Sequence, residues 1–136
     1  MPLNASKLKV GDVHSARLVD DLTRTQIVQY AGASGDYNPL HTDEVFTTKV
    51  AGYPSVFAHG MLTMGMTGKM LTDYVGDARL TKYGVRFTSQ VFPGDTLDAT
   101  ATVKSVENGI AEFDVKTVNQ NGVEVLSGYA AARVDP

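Results

Sequence analysis

The sequence predicts an α+β domain in which an antiparallel sheet curls around one buried helix. Two observations support this fold class. Apolar residues concentrate in one helix-length stretch, and the C-terminal half alternates like strands that are separated by Asn-Gly turns. No repeat or linker divides the 136 residues, so we expect a single domain over 1–136. A chain of this length can bury roughly two-thirds of its unfolded surface.

The first half of the chain carries one strand, one short helix and a long irregular segment. A strand is expected over 8–18, with a turn at Gly11-Asp12. Thr23 and Gln26 have the spacing of a capping box, and Gly32 is the expected stop, which together predict a helix over 24–31. Residues 34–55 show no regular period. An irregular segment of this length is typical of a functional loop.

The second half is expected to hold the buried helix and most of the sheet. Apolar side chains cover more than one face over 61–75, so this helix should be buried on most sides until Gly76-Asp77 ends it. Gly65 and Gly68 each cost about 1 kcal/mol in a helix relative to Ala, a cost that close approach of the sheet would recover. From Lys82 onward, four strands in a meander are expected, the last three over 97–106, 110–118 and 123–134.

Composition excludes several classes of function. A net charge of −3 without a basic stripe argues against nucleic-acid binding, and the absence of cysteine excludes disulfides and thiolate sites. The N-terminal segment lacks the pattern of a signal peptide, and the apolar stretch 56–75 is too polar and glycine-rich to span a membrane. We therefore expect a cytoplasmic protein. Asp43 and Glu44 could join His41 as metal ligands, but nothing else completes such a site, so no metal is expected.

A polar cluster in the irregular segment places Asp36 and His41 five positions apart, with Asn38-Pro39 between them. Fully extended, five residues span roughly 17 Å, but Pro39 restricts the backbone and favours a bend. A bend would bring the carboxylate and the imidazole to one water molecule, where they could share the roles of base and acid. The alternative is a simple Asx-turn beside a surface histidine, since turns favour these residue types.

A second element lies at the start of the predicted buried helix. The backbone N–H of Gly60 would be unpaired at a helix N-terminus, and no side chain blocks it, so it is a candidate oxyanion donor. Gly60 could equally serve tight packing alone. His59 is expected to make a structural hydrogen bond that holds the loop before the helix, and His14 to be structural or exposed.

Together these elements resemble the MaoC-like, or R-specific enoyl-CoA hydratase, family. Residues 30–43 match that family's hydratase motif throughout, and the helix start 57–62 and the strand with its turn over 85–95 also match. The resemblance covers about 8–133. Residues 58–65 and 82–87 look especially like dehydratase subunits of type II fatty-acid and mycolic-acid elongation.

The resemblance implies a hot-dog fold and (R)-specific hydration of trans-2-enoyl thioesters of CoA or ACP to (3R)-3-hydroxyacyl thioesters, or the reverse dehydration. It assigns catalysis to Asp36 and His41, oxyanion donation to Gly60 and support to Ser34 and Asn38. It also implies no metal or redox cofactor, and a homodimer, or a heterodimer with a related subunit. A catalytically silent acyl-binding partner and a hot-dog thioesterase are the alternatives.

The residues that would bind the substrate are the least specific part of the sequence. The acyl pocket is expected to involve apolar residues near the loop and helix, and the carrier to meet a cation at its mouth. Core packing explains the same apolar residues equally well. The candidates are Tyr53, Val56, Phe57, Leu62 and Met66 for the acyl group, and Arg86, Lys82 and Lys69 for the carrier.

Overall fold

The fold is a five-stranded antiparallel sheet packed against a 16-residue helix. The computed structural model describes residues 3–136. In chain order its strands and α-helices are β1 Val13–Val19, α1 Arg24–Ser34, α2 Pro39–Thr42, α3 Gly60–Val75, β2 Leu80–Phe87, β3 Leu97–Glu107, β4 Ile110–Val118 and β5 Glu124–Arg133. A 3₁₀ turn spans Ala5–Lys7, and a π-helical turn spans Phe46–Val50.

The strand order is β1-β3-β4-β5-β2, and α3 packs against β1, β2, β3 and β5. The predicted hot-dog arrangement, a sheet around a long central helix, is confirmed. The predicted four-strand meander is correct for β3 to β5 and wrong for β2, which lies at the edge beside β5. The reason is that the connection 88–96 bonds to other loops instead of forming a hairpin, with Val91 accepting from Ala58 and Asp95 from Leu22.

Both predicted Asn-Gly turns are confirmed. Asn108 and Gly109 join β3 to β4 with φ of 53° and 77°, the left-handed conformations that a two-residue type I′ hairpin requires. Between β4 and β5, the Asn119 side chain accepts from the backbone N–H groups of Asn121 and Val123 at 2.9 and 3.0 Å. These local bonds fix the register of the three consecutive strands.

The core lies between one face of α3 and the inner face of the sheet. Phe113 and Leu71 are fully buried there, each worth about 1.5–3 kcal/mol relative to an exposed side chain. The expectation that α3 is buried on most sides is confirmed, because the sheet covers one side and the cluster around Ile27 covers Leu62 and Met66. A single stripe of the helix, at Met61, Gly65, Lys69 and Asp73, is exposed.

Two glycine pairs show where backbones must approach closely. A Cβ at Gly128 would lie 1.9 Å from the carbonyl oxygen of Gly84 across the β2–β5 ladder, so a larger residue would break this pairing. On α3, a Cβ at Gly68 would lie 3.2 Å from the Tyr83 ring, as close packing of the sheet predicts. A Cβ at Gly65 would meet open space, so the same expectation is wrong at that position.

Three boundaries differ from the sequence expectation. α1 continues past Gly32 to Ser34 and ends at Gly35, whose φ of 77° is the left-handed conformation of a helix cap. Residues 34–55 hold α2 and the π-helical turn, because Asn38 caps a new helix at Pro39. β1 begins at Val13, since residues 9–12 form a turn. The capping box of Thr23 and Gln26 is confirmed. None of the helices found in residues 3–136 combines the length and apolar character needed to cross a membrane.

Candidate active site

A chain of side-chain-to-backbone hydrogen bonds bends the loop between α1 and α2. Ser34 Oγ accepts from the N–H of Asp36 at 3.1 Å, and Asp36 Oδ1 accepts from the N–H of Asn38 at 3.2 Å. Asn38 Oδ1 in turn accepts from the N–H of Leu40 at 3.0 Å and caps α2. The Asx-turns of the alternative interpretation are therefore present, without its surface histidine, and they produce the predicted bend.

The bend brings Asp36 and His41 together. A carboxylate oxygen of Asp36 and a ring nitrogen of His41 lie within 4.8 Å of each other, against roughly 17 Å for an extended chain. One water molecule with hydrogen bonds of about 2.8 Å to each atom spans such a separation. Asp36 is exposed and His41 is partly buried, so the pair faces a solvent-accessible position.

The orientation of His41 is set by the segment that precedes α3. Its Nδ1 lies 2.6 Å from the carbonyl oxygen of Phe57, and a carbonyl can only accept, so Nδ1 donates. Nε2 therefore carries the lone pair that can accept a proton. The Phe57 ring lies edge-on to the imidazole with the ring centroids 5.4 Å apart. Phe57 is itself held next to α2, because its N–H donates to the backbone carbonyl of Leu40 at 3.2 Å.

His59 touches both members of the pair. Its Nε2 donates to the backbone carbonyl of Asp36 at 2.9 Å, and its ring stacks on His41 with centroids 3.8 Å apart and planes at 23°. The Tyr30 ring makes an edge-to-face contact with the His59 ring, at 4.9 Å between the ring centroids. The predicted structural hydrogen bond of His59 is confirmed, with Asp36 as its acceptor. His14 lies elsewhere and stacks on Tyr74 at 4.1 Å, as a structural residue does.

Within residues 3–136, Asp36, His41 and His59 form one group of potential metal ligands, with all three donor atoms inside 4.8 Å. The stacked rings argue against convergence on an ion. Imidazole lone pairs lie in the ring plane, so two nearly parallel rings direct them side by side rather than toward one point about 2 Å away. The arrangement instead suits hydrogen bonding to a small molecule beside Asp36.

A cavity of about 260 Å³ opens at the start of α3. Asp36 and His41 are not among its lining residues, but Phe57, which accepts the hydrogen bond from His41, is. Gly60, the first residue of α3, lines it, and so do Phe57 and Thr63. A Cβ at Gly60 would lie 3.0 Å from the Phe87 ring, so the absence of a side chain keeps that ring against the helix start. The Gly60 N–H has no acceptor inside the helix, which leaves it available to a ligand oxygen.

Sequence reasoning identified part of this cavity. Of the predicted pocket residues, Phe57 lines it. Val56 is buried in the protein interior, and Tyr53 packs on the Phe57 ring at 4.8 Å rather than on the cavity. Leu62 and Met66 pack against the core cluster around Ile27. These side chains face the core, which is the packing role that the sequence left open for them.

The proposed carrier-binding cations are also separate from the cavity lining. Arg86 is exposed on β2, Lys82 lies 5.4 Å from the Tyr129 ring centroid, and Lys69 pairs with Asp73 at 2.6 Å. Arg86 and Lys82 are placed by strand β2, and Lys69 by helix α3.

Two parts of the cavity were missed from sequence. Thr63 lies one helical turn after Gly60 on the buried face of α3, a spacing that could have identified it. The segment 88–91 lines the opposite wall, and it does so because β2 pairs with β5, which no local pattern indicates.

Comparison with known proteins assigns the family. The profile described as MaoC like domain matches residues 6–125. The chain belongs to the MaoC-like domain family. One relative is the 3-hydroxyacyl-thioester dehydratase Y of Mycobacterium tuberculosis. It is 36% identical to this chain over an alignment that covers 83% of this chain and 39% of the relative. The mitochondrial 3-hydroxyacyl-[acyl-carrier-protein] dehydratase of Arabidopsis thaliana is 32% identical over 92% of this chain and 76% of the relative.

The fold is shared with a solved structure over nearly all of the described residues. R-hydratase PhaJ1 from Pseudomonas aeruginosa, in its unliganded form, superposes with a TM-score of 0.87 at 23% identity, covering 98% of this chain and 86% of that chain. This likeness supports the fold. The first curated relatives are longer than this chain, which spans 39% of the M. tuberculosis protein and 7% of a yeast peroxisomal hydratase-dehydrogenase-epimerase.

Proposed function

We propose that this protein catalyses the (R)-specific addition of water to trans-2-enoyl thioesters, or the reverse dehydration. The observation that carries the proposal is the approach of Asp36 and His41 to within 4.8 Å of each other, next to Phe57, which lines the same cavity as Gly60. A base, an acid and an oxyanion donor are the groups that this reaction needs. Membership of the MaoC-like family and the names of the relatives support the same chemistry.

In the hydration direction, the pair holds one water between Asp36 and His41 Nε2. One of the two groups takes a proton from this water as its oxygen forms a bond to the β-carbon. The π electrons of the enoyl group move onto the thioester carbonyl, and the α-carbon then takes a proton from the pair. Water is added across the double bond with no net electron transfer, so the reaction requires no redox cofactor.

The Gly60 N–H is proposed to donate to the thioester carbonyl as it gains enolate character. Gly60 is the first residue of α3, where unpaired N–H groups and the helix dipole favour negative charge. Removal of one oxyanion donor typically costs about 100-fold or more in rate. The carrier, CoA or ACP, extends away from the loop, and the acyl group enters the cavity.

The test is a continuous assay of crotonyl-CoA hydration, followed by the loss of enoyl absorbance. Asp36→Asn and His41→Ala are each expected to lower kcat about 100-fold or more, because both remove a proton-transfer group. Asp77→Asn and His14→Ala are matched controls that change the same residue types away from the site, and they should retain nearly full activity.

Several outcomes would contradict this function. Variants at Asp36 or His41 that fold normally and keep most of their activity would exclude the pair. Thiol release without loss of enoyl absorbance would identify a thioesterase. Failure of the wild-type chain to hydrate enoyl-CoAs of any length, together with tight acyl binding, would favour a silent partner subunit.

We further propose that the active form is a homodimer. β2 is an edge strand of the sheet, and Phe87 and Met61, beside the cavity, are 50% and 55% exposed. An exposed edge with large apolar side chains is typical of a surface that another chain covers. Native mass measurement should give twice the chain mass. A monomer, or activity that appears only after a related subunit is added, would contradict the homodimer.

A further inference from the structure

His59 and His41 cross-link two chain segments by reciprocal hydrogen bonds. His41, in α2, donates to the carbonyl of Phe57 in the segment before α3. His59, at the end of that segment, donates to the carbonyl of Asp36 in the loop. The two imidazoles stack face to face between these bonds, at 3.8 Å between centroids. The separation of Asp36 from His41 and from the start of α3 therefore depends on His59.

The helix gives up a capping interaction to make this contact. His59 is the N-cap residue of α3, a position where Ser, Thr, Asp or Asn usually bonds the first turn, and its side chain makes no capping bond. Replacing a good cap by a residue that does not cap costs about 1 kcal/mol. The His59 side chain instead donates to the backbone carbonyl of Asp36.

A second cost falls on the ring itself. Across the part of the chain that the structure describes, Nδ1 of His59 is one of two buried side-chain polar atoms without a hydrogen-bond partner. The residue is 2% exposed, so solvent does not compensate. Buried atoms without partners are rare, and they concentrate where a structure serves something other than stability. Stability alone would favour a smaller capping residue at this position.

We propose that His59 is a positioning residue that sets the geometry of the Asp36–His41 pair through the bond to the Asp36 carbonyl and the stack on His41. This inference rests on the proposed hydration activity. His59 is buried beneath the pair, so it acts through Asp36 and His41 rather than on the substrate. Its loss should therefore lower kcat and leave KM nearly unchanged, because misplacing a reacting group by about 1 Å can cost up to 100-fold in rate.

Three substitutions distinguish the effect of the His59 hydrogen bond from the effect of the volume that its side chain fills. His59→Gln places an amide N–H near the position of Nε2, and it is expected to retain at least about a third of kcat. His59→Asn carries the same amide one methylene short of Asp36, and His59→Phe keeps a ring without a donor. Both should lose about ten-fold or more in kcat with KM within about two-fold of wild type. Circular dichroism and thermal unfolding establish that each variant is folded.

A double-mutant cycle with Asp36→Asn tests whether His59 acts through the pair. Once the Asp36 carboxylate is gone, its alignment no longer matters. Asp36→Asn/His59→Asn should then match Asp36→Asn within about two-fold, a strong departure from additivity. Full additivity, or wild-type kcat in folded His59→Asn, would overturn the inference. Inactivity of the wild-type protein on enoyl thioesters would instead reject the proposed function, so the two failures are distinguishable.

Discussion

The two buried threonines of α3 give a sharp prediction about stability. Thr63 and Thr67 lie one turn apart on the buried face of the helix, and both are at most 2% exposed. Thr67 Oγ1 shares a hydrogen bond of 2.7 Å with Thr117 Oγ1. Thr63 Oγ1, in contrast, is without a partner among the described residues. The same substitution, Thr to Val, should therefore have opposite effects at the two positions.

The magnitudes follow from the cost of a buried hydroxyl without a partner, about 1–3 kcal/mol. Thr63→Val replaces such a hydroxyl by a methyl of the same shape and should raise the free energy of unfolding by about 1 kcal/mol. Thr67→Val removes one partner and leaves the Thr117 hydroxyl buried alone, so it should lower that free energy by about 1–3 kcal/mol. Thr67→Val/Thr117→Val removes both partners and should be nearly neutral.

Urea unfolding at one fixed protein concentration measures these differences, since oligomerisation makes apparent stability depend on concentration. A change of 1 kcal/mol corresponds to a shift in Tm of about 3–5 °C for a chain of this size. Loss of more than about 1 kcal/mol in Thr63→Val would refute the reasoning. Such a loss would mean that the hydroxyl has a partner in solution, and His59 Nδ1, one turn earlier, would be the first to test.

Further predictions concern two glycines and a half-buried tyrosine. Gly60→Ala places a methyl 3.0 Å from the Phe87 ring and should push that ring into the cavity, lowering kcat/KM about ten-fold. Gly65→Ala, on the same helix but facing open space, should raise the free energy of unfolding by about 1 kcal/mol and keep activity. Burial raises the pKa of Tyr83 to about 12, so the folded state holds a proton that the unfolded state loses near pH 10. The free energy of unfolding should fall more steeply from pH 10 to 12 in wild type than in Tyr83→Phe.

Local chemistry explains which parts of the fold could be predicted. The capping box at Thr23 and the Asn108-Gly109 turn each depend on residues within a few positions of one another. Their geometry is therefore encoded by neighbouring side chains and survives in the structure. The bend between Asp36 and His41 belongs to the same class, because the bonds that produce it all lie within residues 34–40. The bonds from His41 to Phe57 and from His59 to Asp36, which set the final geometry of the pair, are long-range.

Long-range pairing explains which parts could not be predicted. β2 lies beside β5 and not β3, and this choice decides that Phe87 covers Gly60 and that residues 88–91 form a wall of the cavity. The alternation of apolar and polar residues in β2 fits either neighbour equally well.

The two imidazoles illustrate why the proposed catalytic pair can be recognised in the sequence while the contacts that orient it cannot. Asp36 and His41 are recognisable because their side chains are the groups that the proposed chemistry needs. The atoms that hold them in place are the backbone carbonyls of Phe57 and Asp36, and every residue has a carbonyl. A sequence pattern therefore carries no sign of the acceptor, and His59 looks like any histidine before a helix. It follows that Phe57 can vary in side chain without loss of the bond to His41, whereas His59 can be replaced only by a side chain, such as Gln, that places an N–H near the Asp36 carbonyl.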